Sequence, residues 1–314
     1  MGRYLARRLI TTFVVLLLVS FISFCIMQMV PGDPALVMAG AAAPADEVQR
    51  IREQFGLDQP FHVQLLRWYG GMIQGDLGQS ITLGRSVVAA IVERLPSTVA
   101  LAGFAFVLTL AFGLVAGVIS ALKQDTWIDH TIMTLAVVGV SVPSFWIGLI
   151  MIIGFAVMVD WLPAGGYVTI TENPVMWFKS LILPSIALAL LQMGLLARIT
   201  RASMIEVLRQ DFVRTAHAKG LPRWIVVGKH AFMNVMIPVV TVIGIVFSLL
   251  LSGSVVIETV FSIPGLGRLM ATSIVTRDYP VIQGALLITA AMFVLINLFV
   301  DVLYAYLDPR IHYD

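Results

Sequence analysis

The chain has 314 residues, of which 59% are hydrophobic and only 12% are charged, and its mean hydropathy is +0.94. A soluble domain carries about 25% charged residues, so this composition excludes a water-soluble fold and indicates that lipid surrounds most of the chain. The net charge of +2 is too small to indicate a nucleic-acid partner.

Six apolar stretches predict an all-α integral membrane protein with six transmembrane helices. Each stretch holds about 20 residues or more, which as a helix crosses a hydrocarbon core about 30 Å thick. A helix is required there because its backbone satisfies its own hydrogen bonds. The predicted spans are approximately Leu9–Val30, Thr98–Leu122, Ile132–Val159, Leu181–Ala202, Met236–Ile257 and Ala285–Tyr306.

The N-terminal segment, residues 1–30, predicts a cytoplasmic end followed by the first span. Arg3, Arg7 and Arg8 precede an apolar run that is long enough to remain in the membrane uncleaved. Cys25 lies within that run and is the one cysteine of the chain, so it has no internal disulfide partner and is expected to pack among apolar side chains.

An extended external loop, residues 31–97, predicts three short helices. Asp46 and Gln49 predict a capping box for a first helix that ends at Gly56, and Pro60 opens a second helix. A third helix is expected over Ser86–Leu95, ending before a proline. This loop is either a cap on the membrane bundle or a docking surface for a soluble partner, and the two interpretations are compatible.

Lysines and arginines in the short loops predict the orientation. Four regions are basic and fall on one side if the spans alternate: the N-terminus, Lys123 after the second span, the connection after the fourth span, and Arg310 in the tail 308–314. The positive-inside rule makes that side cytoplasmic. Both termini are therefore predicted to be cytoplasmic, in a multi-pass membrane protein.

Signals for catalysis are missing from this chain. Lys179 is the one lysine followed by Ser or Thr, and Phe178 precedes it, so there is no Walker A motif. No nucleophile motif or metal-spaced cysteine set is present, and the five histidines are scattered. We expect no catalytic residue, no metal site and no cofactor in this chain. A membrane-embedded enzyme would need a paired-aspartate or Ser/His set inside the spans.

Few ionisable residues fall within the predicted spans, and they lie near the span ends. Asp301 is expected to pair with Arg198 or Arg201 and hold helix ends together. An ion-coupled secondary carrier, the alternative transport class, usually places a carboxylate near the midplane. Gly113 and Gly117 predict close helix contact. The six spans show no internal repeat, which favours a partner chain.

Four uncharged polar residues lie within the spans and predict either interhelical hydrogen bonds or a wet path. Both interpretations stay open for each residue, and the hypothesis is that Gln192 and one of the serines face a central path. The four candidates for a translocation path are Ser141, Ser144, Gln192 and Asn297.

The connection between the fourth and fifth spans predicts a two-turn helix, Phe212–Lys219. Asp211 is a candidate N-cap and Gly220 a candidate left-handed residue just beyond the end. A helix this short is not stable alone in water, so something must pack against it. Its small residues Thr215, Ala216 and Ala218 would admit a partner surface.

The segment Arg214-Thr-Ala-His-Ala-Lys-Gly resembles the EAA loop of permease subunits of ATP-binding-cassette importers, in the dipeptide/oligopeptide/nickel family. The chain resembles the first, B-type, permease of that family along essentially its whole length. Arg214 and Thr215 stand where the generic loop has Glu and Ala. Further matching stretches are Pro31-Gly-Asp-Pro, Gly75-Asp-Leu-Gly, Ser141-Val-Pro-Ser-Phe-Trp, Glu258-Thr-Val-Phe-Ser-Ile-Pro-Gly-Leu-Gly-Arg and Leu307-Asp-Pro-Arg.

This resemblance implies a type I importer transmembrane domain over residues 96–307, with a coupling loop at about 204–235. It implies a complex in the bacterial inner membrane with a second homologous permease, two ATPase subunits that bind ATP and magnesium, and a solute-binding protein. The implied substrates are dipeptides, oligopeptides or glutathione-like peptides, with nickel or another small solute as alternatives. The implied ATPase-coupling residues are Asp211, Arg214, Thr215, Ala216, His217, Ala218, Lys219 and Gly220.

Overall fold

The computed structural model describes residues 2–29, 33–40 and 43–307. Within these ranges the chain is built of helices, and the one extended pairing is a single bridge between Gln79 and Ser86. The helices are α1 (Gly2–Met29), α2 (Pro34–Ala39), α3 (Ala45–Phe55), α4 (Phe61–Ile73), α5 (Val87–Leu122), α6 (Trp127–Ser141), α7 (Ser144–Met151), α8 (Pro174–Leu208), α9 (Asp211–Ala218), α10 (Arg223–Ile225), α11 (Phe232–Val260), α12 (Leu266–Thr276) and α13 (Tyr279–Leu307). Wider π-helical turns extend α7 over Ile152–Met158 and α10 over Val226–Ala231.

The described residues form two compact units. The bundle unit holds those of 1–5, 97–264 and 296–314, and the loop unit holds those of 6–96 and 265–295. Each unit has its own apolar core. The bundle core contains Leu181, Leu183, Leu188, Leu250, Ile257 and Phe261, and the loop-unit core contains Leu77, Val87, Ile91, Leu266, Leu269 and Val281.

Five helices within the described residues are long and apolar enough to cross a membrane: α1, α5, α8, α11 and α13. A sixth span requires α6 and α7 together, and these two helices meet at an angle of 102°. The all-α, membrane-spanning fold class is thereby confirmed. The expectation of one continuous third span, Ile132–Val159, is wrong, because the chain is extended at Val142 and Pro143. Proline disfavours helical geometry in the residue before it.

Another proline behaves in the opposite way. Pro96 lies inside α5, which begins at Val87 rather than at the predicted Thr98. The predicted stop before Pro96 and the separate third loop helix are therefore wrong. Apolar spans tolerate internal prolines because neighbouring groups satisfy the freed backbone carbonyls, and α8 also continues through Pro184.

Close contact between α5 and α8 confirms the prediction from the Gly113–Gly117 spacing. A Cβ atom added at Gly117 would lie 2.6 Å from the Thr200 Cβ atom and 2.7 Å from the Ala197 carbonyl oxygen. A Cβ atom at Gly113 would lie 3.2 Å from Leu196. Glycine at both positions lets the two backbones approach.

In the loop unit, α3 ends where it was predicted to end, but its start is formed differently from the prediction. Pro44 precedes α3 without a capping side chain, and Gln49 bonds instead to Glu53 at 2.8 Å, so the capping box is wrong. Gly56 ends the helix in the left-handed conformation, with φ +66°. A glycine reaches this conformation without a Cβ penalty. Pro60 stands directly before α4.

A buried carboxylate fixes the turn that precedes α5. Asp278 is fully buried and accepts hydrogen bonds from the Ser80 hydroxyl at 2.5 Å, the Thr82 hydroxyl at 2.6 Å, and the amides of Ile81 and Thr82 at 3.1 and 3.0 Å. Burial alone would raise the pKa of this carboxyl group, but these hydrogen bonds outweigh burial and hold the pKa below its ordinary value. The loop unit therefore depends on Asp278 being ionised.

Acidification should destabilise the loop unit through Asp278. Since its pKa is lower in the folded state, its stabilisation is complete above about pH 3.9 and is lost as the pH falls through the folded-state value. We expect Asp278→Asn to lower the melting temperature at pH 7 and to remove part of the loss of stability between about pH 5 and pH 2. Thermal unfolding followed by tryptophan fluorescence measures both effects. The control is Asp58→Asn, at an exposed position, and equal pH profiles for the two variants would contradict the assignment.

Candidate functional site

The short helix α9 is held by its own chain. Val213 and Ala216 are 2% and 6% exposed and form a buried apolar cluster with Val226. Leu208 and Leu221 pack against this cluster from the two segments that flank the helix. The packing that a helix this short requires therefore comes from its own chain.

The exposed face of α9 differs from the one expected. Ala216 points into the cluster, so it cannot serve as a contact for a partner surface. Successive helical residues are about 100° apart, which places Asp211, Arg214, Thr215 and Ala218 opposite the two buried positions, and all four are exposed. This group is called the α9 outer face.

The two ends of α9 are set by different means. The helix begins at Asp211 itself, after Gln210, which makes no side-chain cap, so the predicted N-cap is wrong by one residue. The Asp211 carboxylate accepts instead a 3.4 Å hydrogen bond from Arg214. Gly220 has φ +75°, as expected for the position beyond the C-terminus, and a Cβ atom there would meet nothing within 4 Å. The backbone alone requires glycine here.

His217 and Lys219 complete the predicted coupling set. The His217 ring nitrogen Nδ1 lies 3.0 Å from the Val213 carbonyl oxygen, so this ring bonds back to its own helix. Lys219 is exposed and follows the last helical residue, where its amide donates to the Thr215 carbonyl at 3.0 Å. The eight predicted residues thus lie together on one short element and its C-terminal turn.

The structure contains a buried ion pair, Asp129 with Arg201, that was not predicted from the sequence. Asp129 is 1% exposed and receives two hydrogen bonds from Arg201, Nε to Oδ1 at 2.7 Å and Nη2 to Oδ2 at 2.6 Å. The Ser120 hydroxyl also bonds to Asp129, and the Asp125 amide donates to it at 3.0 Å. The end of α5, the start of α6 and the last part of α8 are thereby joined.

The expected partner of Arg201 was Asp301, whose side chain lies outside the described residues. Sequence reasoning assigned Asp129 to a loop and so overlooked it. The available signal was its position two residues after Trp127, inside the first turn of a helix. A carboxylate there is favoured by the helix dipole, and one that lies within apolar sequence needs a cationic partner.

The four predicted path residues occupy different environments. Gln192 is 3% exposed, and its Oε1 atom has no hydrogen-bond partner among the described residues. The Ser141 hydroxyl donates to the Val137 carbonyl at 2.8 Å in the last turn of α6. Ser144 is partly buried at the start of α7, just after the bend, and Asn297 is exposed on α13. Within the described residues no hydrogen bond joins any two of the four.

The sequence matches two family descriptions that together cover nearly all of it. Residues 113–313 match the binding-protein-dependent transport system inner membrane component, and residues 1–102 match the N-terminal part of such membrane components.

Named relatives align with the chain from end to end. A permease protein named for a peptide transport system in Brucella suis biovar 1 is 47% identical over 314 residues, covering all of both chains. The glutathione transport system permease protein of Escherichia coli O6:H1 is 42% identical over 313 residues, also covering all of both. The inward-facing MetNI methionine ABC transporter superposes with a TM-score of 0.59 at 16% identity, over 69% of this chain and 96% of that one.

The Asp129–Arg201 pair should be strongly coupled in stability. Removing one partner leaves an uncompensated buried charge, which costs about 3–5 kcal/mol. We expect Asp129→Asn and Arg201→Gln each to lower the melting temperature of the purified protein. The double variant should lose less than the sum of the two single losses. Arg198→Gln, at an exposed position on the same helix, is the control and should change little. Additive losses would contradict the pairing.

Proposed function

The chain belongs to the family of binding-protein-dependent transport system inner membrane components, and we propose that it forms half of the translocation pathway of an ATP-driven peptide importer. Family membership makes it a multi-pass membrane subunit of a transport system. It acts with ATPase and substrate-binding partners. The observation that carries the coupling role is the α9 outer face, an exposed surface on a helix that its own chain holds in place.

Peptides are the proposed substrate class. Two relatives that align over the whole chain are named for peptide and glutathione transport, and glutathione is itself a short peptide. The proposed path residues Ser141, Ser144, Gln192 and Asn297 carry no charge. Such groups hydrogen-bond to peptide amides without selecting for side-chain charge, which suits a conduit for peptides of different sequence.

The proposed assembly has a second permease, two ATPase subunits and a solute-binding protein. The absence of an internal repeat in the sequence favours a second permease as the other half of the path. ATP and magnesium would bind the ATPase subunits, and this chain would contribute no catalytic group. The α9 outer face would then lie against one ATPase and move with it when the nucleotide sites close.

We propose that α9 faces the cytoplasm and that the loop unit segment 33–96 faces the exterior, since the connection that contains α9 is rich in lysine and arginine. Gln59 and Gln210 are both exposed and provide labelling sites. In a Cys25→Ser background, Gln59→Cys should react with an impermeant thiol reagent on intact spheroplasts, whereas Gln210→Cys should react only after lysis. The reverse pattern would overturn the orientation.

Coupling should fail when the α9 outer face or its C-terminal turn is altered. Ala218→Glu places a longer charged side chain on the outer face. Gly220→Val forces a β-branched residue into a left-handed conformation at about 1–3 kcal/mol of strain. In proteoliposomes with the ATPases and the loaded binding protein, both variants should reduce peptide uptake at least tenfold. Stimulation of ATP hydrolysis by the loaded binding protein should be lost in parallel.

Two controls separate coupling from folding. Gly220→Asn introduces a residue that tolerates the left-handed conformation, so this variant should retain most uptake. Ala216→Glu buries a charge in the cluster of Val213 and Val226 and should lower the melting temperature, whereas Ala218→Glu should not. If Ala218→Glu and Gly220→Val assemble and transport like the parent, α9 is only a connector. If the parent hydrolyses ATP but imports nickel or another solute and no peptide, the substrate proposal fails and the coupling proposal stands.

A further inference from the structure

A cavity in the loop unit has the size of a small-molecule site. Its volume is about 360 Å³, within the range of about 300–1,000 Å³ typical of ligand pockets. It lies between α1, α4, the turn after α4 and the start of α13, and all its lining residues belong to the loop unit. This cavity is called the loop-unit pocket.

One wall of the pocket is apolar and aromatic. The rings of Phe24 and Trp68 lie 5.6 Å apart between centroids, tilted by 39°. Leu57 and Leu77 extend this wall. Such a surface takes up the apolar side chain of a ligand and gives it a fixed position.

A buried hydroxyl in the pocket lining lacks a partner. Tyr279 is 8% exposed, and its hydroxyl oxygen is buried with no hydrogen-bond partner among the described residues. Buried tyrosine hydroxyls are normally hydrogen-bonded. Tyr279 lines the pocket, and its hydroxyl oxygen is closed off from solvent in this conformation, so a bound molecule would reach it only after the ring shifts.

Two exposed side chains of opposite charge line the pocket and form no salt bridge among the described residues. Arg67 forms no salt bridge with any carboxylate among the described residues, and its guanidinium lies over Gly56, in the space that a Cβ atom there would need. Asp76 accepts a 2.8 Å hydrogen bond from the Gly78 amide and pairs with no cation among the described residues. The pocket therefore presents a cation and an anion that do not neutralise one another.

We propose that the loop-unit pocket binds a zwitterion, namely the free carboxylate and ammonium ends of a short peptide. The planar guanidinium of Arg67 binds the carboxylate in two-pronged geometry, and Asp76 accepts from the ammonium group. The Tyr279 ring shifts so that its hydroxyl bonds to the peptide backbone, and one side chain of the peptide lies against Phe24 and Trp68. The inference rests on the proposed peptide transport, and gives this chain a site for the peptide between α4 and the ends of the spanning helices α1 and α13.

The test uses the dipeptide L-alanyl-L-phenylalanine and its C-terminal amide. Equilibrium binding of the labelled peptides is measured on the full chain in its purified transporter complex, in nanodiscs without binding protein or nucleotide. We expect saturable binding of the free dipeptide, weakened at least tenfold by Arg67→Gln and also by amidation of the carboxylate. In Arg67→Gln, amidation should cause no further loss, because the group that distinguishes the two peptides is gone. Tyr279→Phe should weaken both peptides.

Arg50→Gln is the matched control, since Arg50 is exposed on α3 and does not line the pocket, and it should bind like the parent. The proposal is overturned if the parent shows no saturable binding or if Arg67→Gln and Arg50→Gln bind alike. It is also overturned if the complex retains phosphatidylethanolamine in an Arg67-dependent manner while the dipeptide does not bind. Measuring uptake by the parent with its binding protein distinguishes failure of this inference from failure of the proposed function. Peptide uptake without pocket binding defeats this inference alone, and absence of uptake of any peptide defeats the proposed function.

Discussion

Close approach of helix backbones to α8 is the constraint on which the bundle unit depends. In lipid, apolar side chains gain little by leaving the solvent for one another, so helices associate through van der Waals contact and interhelical polar bonds. Gly113 and Gly117 bring α5 against α8. From α6, the Ala136 carbonyl lies so near Gly194 that a Cβ atom there would be 2.5 Å away. Each of these close contacts with α8 thus has a glycine on one of the two facing helices.

The ion pair of Asp129 and Arg201 fixes how the contacting helices are positioned along and around their axes. Van der Waals contact between small residues permits sliding along the helix axis, whereas a two-pronged bond with distances of 2.7 and 2.6 Å fixes both register and rotation. Because Ser120 bonds to the same carboxylate, α5, α6 and α8 meet at one point. Arg201 lies on the helix that leads directly into α9, so the fixed point is close in sequence to the proposed coupling surface.

Much of the fold follows from apolar length, and the corrections come from tertiary context. Apolar stretches of about 20 residues and the Gly113–Gly117 spacing were sufficient to predict the spanning helices α1, α5, α8, α11 and α13 and one of their contacts. Local rules failed at proline in both directions, since Pro143 breaks a span and Pro96 does not. The residue before a proline is disfavoured in helical geometry and keeps it only where surrounding contacts compensate, and one sequence does not contain that information. The Asp129–Arg201 pair joins residues 72 positions apart, and no local pattern predicts such a contact.

Of the candidate site, the location was predictable and the orientation was not. Gly220 and the position of α9 followed from capping rules, but the buried side of α9 depends on Val226 and Leu221, which come after the helix in sequence. This orientation bears on the mechanics of the proposed coupling. A helix ordered only by a partner would fold on contact, and its ordering would weaken that contact. A helix already packed on its own chain moves as part of the bundle, so displacement of the α9 outer face can pass through the Val213–Ala216 cluster into α8 and the helices fixed to it.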